Sequence, residues 1–76
     1  MSRLAPLHYR KLVRVFEKLG FVLDRTEGDH LMYTKSGIKR PVVIPVYKAV
    51  PVFIINNNIN TAGITREEFF NLLNQL

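Results

Sequence analysis

The sequence contains no cysteine. That excludes a disulfide framework and a thiolate metal site, and it gives no sign of an oxidising compartment. The apolar stretches are all interrupted by charge, asparagine or proline, and no long apolar run follows Met1-Ser2-Arg3. Neither a signal peptide nor a membrane-spanning helix is expected, and the cytoplasm is the expected location. The four glycines are scattered singly, so none builds a phosphate-cradling loop ahead of a helix. Two histidines and a few dispersed acids lack zinc-ligand spacing. Asp29 beside His30 is no better as a metal pair, because neighbouring strand residues point to opposite faces. No metal or other cofactor is expected. There is no serine placed with a histidine and an acid, and the carboxylates Glu67 and Glu68 are accounted for by a helix cap.

What the chain does have is positive charge. Eleven Lys and Arg stand against six acids, a formal charge of +5 over 76 residues. Residues 1–50 hold ten basic and four acidic side chains, whereas 51–76 hold one and two. A basic front and a nearly neutral back suit a polyanionic partner bound by one side of the molecule, although small proteins are often basic without one. The length predicts one domain, residues 1–76, with a small core and marginal stability.

A short lead-in precedes a helix over His8–Leu19. There Tyr9, Leu12, Val13, Phe16 and Leu19 follow helical spacing, and Arg10, Arg14 and Lys18 form a basic stripe read as a solvated face. Gly20 stands where a C-terminal cap needs positive φ, with Phe21 placed to fold back on the last turn. Phe21 to about Thr26 and His30 to about Lys35 read as a β-hairpin, with Phe21 and Leu23 pointing one way. If Leu31 and Tyr33 face the core, alternation sends His30, Met32 and Thr34 to the other face. Pro41–Ile44, closed by Pro45, reads as an edge strand. The segment Pro51–Thr61 is strand-like in composition. Even so, Val52, Ile55, Ile59 and Ala62 share a helical face ahead of Gly63, which favours a helix. Thr65-Arg66-Glu67-Glu68 is a capping box that opens a last helix with Phe69, Leu72, Leu73 and Leu76 inward. The expected fold is α+β, a three-stranded antiparallel sheet with helices on one face and a small extra C-terminal helix. This α-β-β-β-α order is that of a double-stranded-RNA-binding domain.

One proton-transfer group stands out in this frame. His30 lies at the mouth of the second strand, and histidine titrates near neutrality. Arg25, Gly28, Lys35, Lys39, Arg40 and Lys48 fall around the same sheet as candidate RNA-binding residues. RNA cleavage without metal needs a base for the 2′-hydroxyl, an acid for the leaving oxygen and cations for the phosphate. The same residues fit a passive RNA-binding module, and a lone histidine at a strand start is more often a bystander.

Several short motifs, taken in order, resemble the HicA family of mRNA interferase toxins from prokaryotic type II toxin–antitoxin systems. They are Phe16-Glu17-Lys18-Leu19-Gly20-Phe21, Arg25, Gly28-Asp29-His30 and Val43-Ile44-Pro45. Val50-Pro51-Val52-Phe53-Ile54-Ile55 and Ala62-Gly63-Ile64-Thr65-Arg66-Glu67-Glu68-Phe69 follow in the C-terminal half. The resemblance implies a double-stranded-RNA-binding-domain-like fold, an mRNA-cleaving activity that halts growth, His30 as the catalytic histidine, and a HicB-type antitoxin that covers the site. Two departures stand in the motif. Asp29 holds a position where serine is usual, and Tyr47 one where many members have a second histidine. An acid beside the histidine would repel a phosphate, so a catalytically silent RNA- or antitoxin-binding module of the same fold is the alternative reading.

Overall fold

The computed structural model describes residues 3–76, so Met1 and Ser2, the start of the expected lead-in, lie outside the described residues. Its elements run α1 (Tyr9–Lys18), β1 (Val22–Glu27), β2 (His30–Thr34), β3 (Val42–Pro45), α2 (Val52–Ala62) and α3 (Arg66–Leu73). The strands form a single antiparallel sheet in the order β1-β2-β3. The α+β fold read from the sequence is therefore the one observed.

Helix α1 begins after His8, whose side chain accepts the Arg10 backbone N–H at 3.2 Å and so caps the helix. Its inward face is Leu12, Val15 and Phe16, all fully buried. Val13, expected inside, is only partly covered, because the 3.6-residue period carries Val15 under the sheet instead. The end of α1 is closed as its residues imply. Gly20 adopts φ 96°, its N–H donates to Glu17 O, and the Phe21 N–H donates to Phe16 O at 3.0 Å. The Phe16 and Phe21 rings meet edge to face with centroids 5.7 Å apart. This Schellman closure turns the chain from helix into sheet.

In the sheet, Leu31 pairs with Ile44 and Tyr33 with Val42, which places these four side chains on the helix-covered face. Tyr33, Val42 and Ile44 are buried there with Leu12, Phe16, Ile55 and Phe69. Burial pushes the Tyr33 phenol pKa up from its ordinary value, and the nearby Glu17 charge adds to the shift. His30 pairs with Pro45 and Met32 with Val43 on the opposite face.

Leu23 pairs with Tyr33 and so lies on the same face as Phe21, as expected, but the first strand is not covered there. Phe21 is buried but precedes the strand, and every residue of β1 is exposed, Leu23 to 51 %. The register also shifts between Leu23 and Arg25, leaving Asp24 as a bulge. The extra residue brings Arg25 opposite Met32 and Glu27 opposite His30. Strand β1 is thus an outer edge attached through β2 alone.

Helix α2 starts after Pro51, which is its N-cap residue and not its first helical one. Ile55, Asn58, Ile59 and Ala62 are its buried positions. It packs on β3, the other edge strand. Helix α3 opens on the capping box, with Thr65 Oγ1 accepting the Glu68 N–H at 3.1 Å and Glu68 Oε1 accepting the Thr65 N–H at 3.1 Å. Phe69 is its fully buried anchor, packed against α1 through Phe16 with ring centroids 6.3 Å apart.

Two stability changes follow. Phe16→Ala should cost about 3–5 kcal/mol, most of what a domain of this size commands, and should leave the chain largely unfolded by circular dichroism. Thr65→Ala should cost about 1 kcal/mol in urea denaturation, with the slope of the transition unchanged.

Candidate active site

Strands β1 and β2 are joined by the two residues Gly28 and Asp29. Gly28 takes φ 59° and no non-glycine among the described residues has positive φ, the pattern of a tight hairpin turn with glycine at its first central position. A side chain at Gly28 would meet no atom within 4 Å, so backbone conformation and not crowding is what asks for glycine. Because the turn is so short, Asp29 lies outside the strand and escapes its alternation. The expectation that Asp29 and His30 point apart is therefore corrected. The Asp29 carboxylate lies 2.9 Å from His30 Nδ1. The Asp29 carbonyl also accepts the Val46 N–H at 2.8 Å, tying the turn to the chain just past β3.

The imidazole thus has one nitrogen engaged and stands at one end of a cleft of about 560 Å³. With Nδ1 beside the carboxylate, Nε2 is the ring nitrogen left to meet a ligand. Val43, Pro41 and Pro45 of the sheet's far face line one side of the cleft, and Asn57, Asn58 and Asn60 of α2 line the other. Arg40 also lines it. A shallower hollow of about 320 Å³ adjoins it through Arg40, Asn60 and Thr61, and Lys39 lines that hollow. The result is a groove beside β3 with His30 at one end and two cations toward the other.

The remaining candidate residues are placed elsewhere. Arg25 shares the His30 face because of the bulge, but its guanidinium is held by Glu27 and by Asp24, the latter at 2.8 Å. The hydrogen bond to Glu27 first, and that to Asp24 next, push its pKa above its ordinary value. Lys35 follows the far end of β2, about 16 Å along the strand from His30 at ~3.3 Å per residue. Its Nζ sits 5.8 Å from the centre of the Phe21 ring. Lys48 is exposed in the connection from β3 to α2. Tyr47, in the same connection, is 38 % exposed, and its carbonyl accepts the Tyr9 N–H at 3.0 Å. Among the described residues no three His, Asp or Glu side chains gather as a metal site.

Sequence reasoning missed two contributors. Asp29 as the partner of His30 was legible only once the turn was known to be two residues long. The asparagines of α2 read as weak helix formers, yet they form a wall of the cleft.

The chain is a small α+β domain with a histidine beside a carboxylate in a groove that Arg40 also lines. The model of the family described as HicA toxin of bacterial toxin-antitoxin matches residues 9–64, from the start of α1 past the end of α2, and the chain belongs to that family. It is accordingly a toxin of a toxin–antitoxin system, a membership that implies an antitoxin partner. No curated protein matches the chain. No helix among the described residues is long and apolar enough to cross a membrane.

The charge placement yields a contrast in binding. Arg40→Ala should weaken affinity for a short single-stranded RNA and lower the salt slope by about one. Arg25→Ala, removing a cation already held by two carboxylates, should change that slope far less when both are titrated by fluorescence anisotropy.

Proposed function

We propose that this toxin is an endoribonuclease that cleaves mRNA with His30 as its acid–base group, in the cytoplasm and without a metal ion. The observation that carries the reading is the His30–Asp29 contact at the end of the groove bearing Arg40. In this reaction His30 Nε2 takes the proton of a ribose 2′-hydroxyl. The 2′-oxygen attacks the adjacent phosphorus as the bond to the 5′-oxygen breaks, that oxygen takes a proton from water, and His30 returns its own proton to solvent. The products are a 2′,3′-cyclic phosphate and a 5′-hydroxyl. Arg40 and Lys39, toward the other end of the groove, hold flanking phosphates of the same RNA strand and so set its path past His30. Membership of the family, together with the position of the groove, supports a HicB-type antitoxin that inhibits by covering the His30 end.

A second reading has an observation of its own. Asp29 and Glu27 both lie beside His30, one at 2.9 Å and one across the strand pair, and their charge opposes an incoming phosphate. A catalytically silent module that binds RNA or antitoxin would tolerate that charge.

Induced expression of the wild type beside His30→Ala separates the two. The wild type should arrest growth and fragment cellular mRNA, and His30→Ala, equally folded, should lose about 10²–10⁴ in cleavage rate. Equal cleavage by both proteins would remove His30 from the mechanism. Purified wild type should retain cleavage in excess EDTA and leave 2′,3′-cyclic phosphate ends. Activity that disappears with chelation would mean a metal-dependent route.

A further inference from the structure

Asn58 is the one polar residue among the buried positions of α2. It occupies the same inward stripe as Ile55, Ile59 and Ala62, is only 3 % exposed, and lines the cleft that contains His30. Among the described residues its Nδ2 has no hydrogen-bond partner. An unpaired amide in such a place is destabilising, and an aliphatic residue would complete the stripe at no such cost. The helix therefore keeps a hydrogen-bonding group that its own packing does not use, and because Nδ2 is closed off from solvent a ligand in the cleft meets it by turning the amide.

The surroundings indicate what would use it. The wall from α2 carries three neutral amides, Asn57, Asn58 and Asn60, beside Ile54 and Thr61, and the facing wall is apolar, with Val43 and Pro45. A phosphate would be better matched by cations, which here are confined to Arg40 and Lys39. Neutral amides present donors and acceptors together, as the edges of nucleobases do, and an unstacked base in single-stranded RNA is read by hydrogen bonds to its edge. A cleft of about 560 Å³ falls in the range of small-ligand pockets, ~300–1,000 Å³. We infer that the cleft between β3 and α2 is a nucleobase subsite, in which Asn58 and Asn57 read the edge of one unstacked base against the apolar floor beside the scissile phosphate. This rests on the RNA-cleaving reading above and adds base preference to it. Asn58 is in this view a specificity residue and not a catalytic one.

The test measures selectivity on two axes. Binding of A, C, G and U hexaribonucleotides to the His30→Ala protein is compared with binding to His30→Ala/Asn58→Leu, and cut-site sequences are mapped for wild type and Asn58→Leu. The His30→Ala protein should favour one base by about tenfold or more. The added Asn58→Leu change should level the four affinities to within about twofold, as expected when the one amide pair that discriminates is gone. In the cleavage arm, the cut sites of Asn58→Leu should lose their base bias. Thermal melting of Asn58→Leu at or above the wild type confirms that packing is intact. If that variant is unstable, Asn57→Ala, at an exposed position, serves in its place with a smaller loss of preference. Base preference or cut-site bias that survives both substitutions overturns the subsite. So does a loss of antitoxin binding on Asn58→Leu with RNA selectivity unchanged, which would give the cleft to the protein partner. Base-selective binding without any cleavage by the wild type would instead sink the nuclease reading alone.

Discussion

The pairing of β2 with β3 is the constraint on which everything else here rests. Leu31 against Ile44 and Tyr33 against Val42 bury one face of a two-strand ladder. Strand alternation has a period of two, so burying those side chains forces His30 and Met32 to the other face. A slip of one residue would put the imidazole under α1 and turn Tyr33 outward. The hydrophobic core thus sets which face carries His30 without touching it. Proline at the end of β3 then closes the ladder opposite His30 and leaves the chain free to leave the sheet toward α2.

A second level of organisation is the separation of charge from charge. The chain is basic overall, yet its cations are not pooled. Arg25 is taken up by Glu27 and Asp24, Lys35 lies over an aromatic ring, and the α1 stripe faces solvent. Among the described residues, Arg40 and Lys39 are the cations that border the groove. Net charge therefore describes the long-range attraction of the molecule for a polyanion, whereas the local field at His30 is set by its acidic neighbours and the two groove cations. These are different quantities, and a count of Lys and Arg reports only the first.

Much of this was legible in the sequence wherever one residue type has one physical use. Gly20 followed by an aromatic announced the closure of α1, Thr65 with Glu68 announced α3, and the spacing Ile55-Ile59-Ala62 outweighed the β-prone composition of α2. His30 was singled out because few side chains titrate near neutrality. The illegible parts share a cause: each depends on a one-residue change of phase. The Asp24 bulge inserts a residue without any compositional mark, so Arg25 cannot be assigned to a face by counting on from Leu23. The brevity of the hairpin turn moves Asp29 from strand to loop and so to the same side as His30. Asn58 sits in an apolar stripe, but among three consecutive asparagines a run of weak helix formers hides the one that is buried.

The exposed strand β1 has one more consequence. With β3 flanked by α2, the sheet presents a single open row of backbone donors and acceptors, and such a row invites a second copy to extend it. Here the row is interrupted at Asp24 and carries Asp24, Arg25 and Glu27 clasped together along it. A copy aligning antiparallel on that row would have to break the clasp and match a ladder that is out of step. The same irregular strand that brings Glu27 opposite His30 therefore works against edge-to-edge pairing of copies.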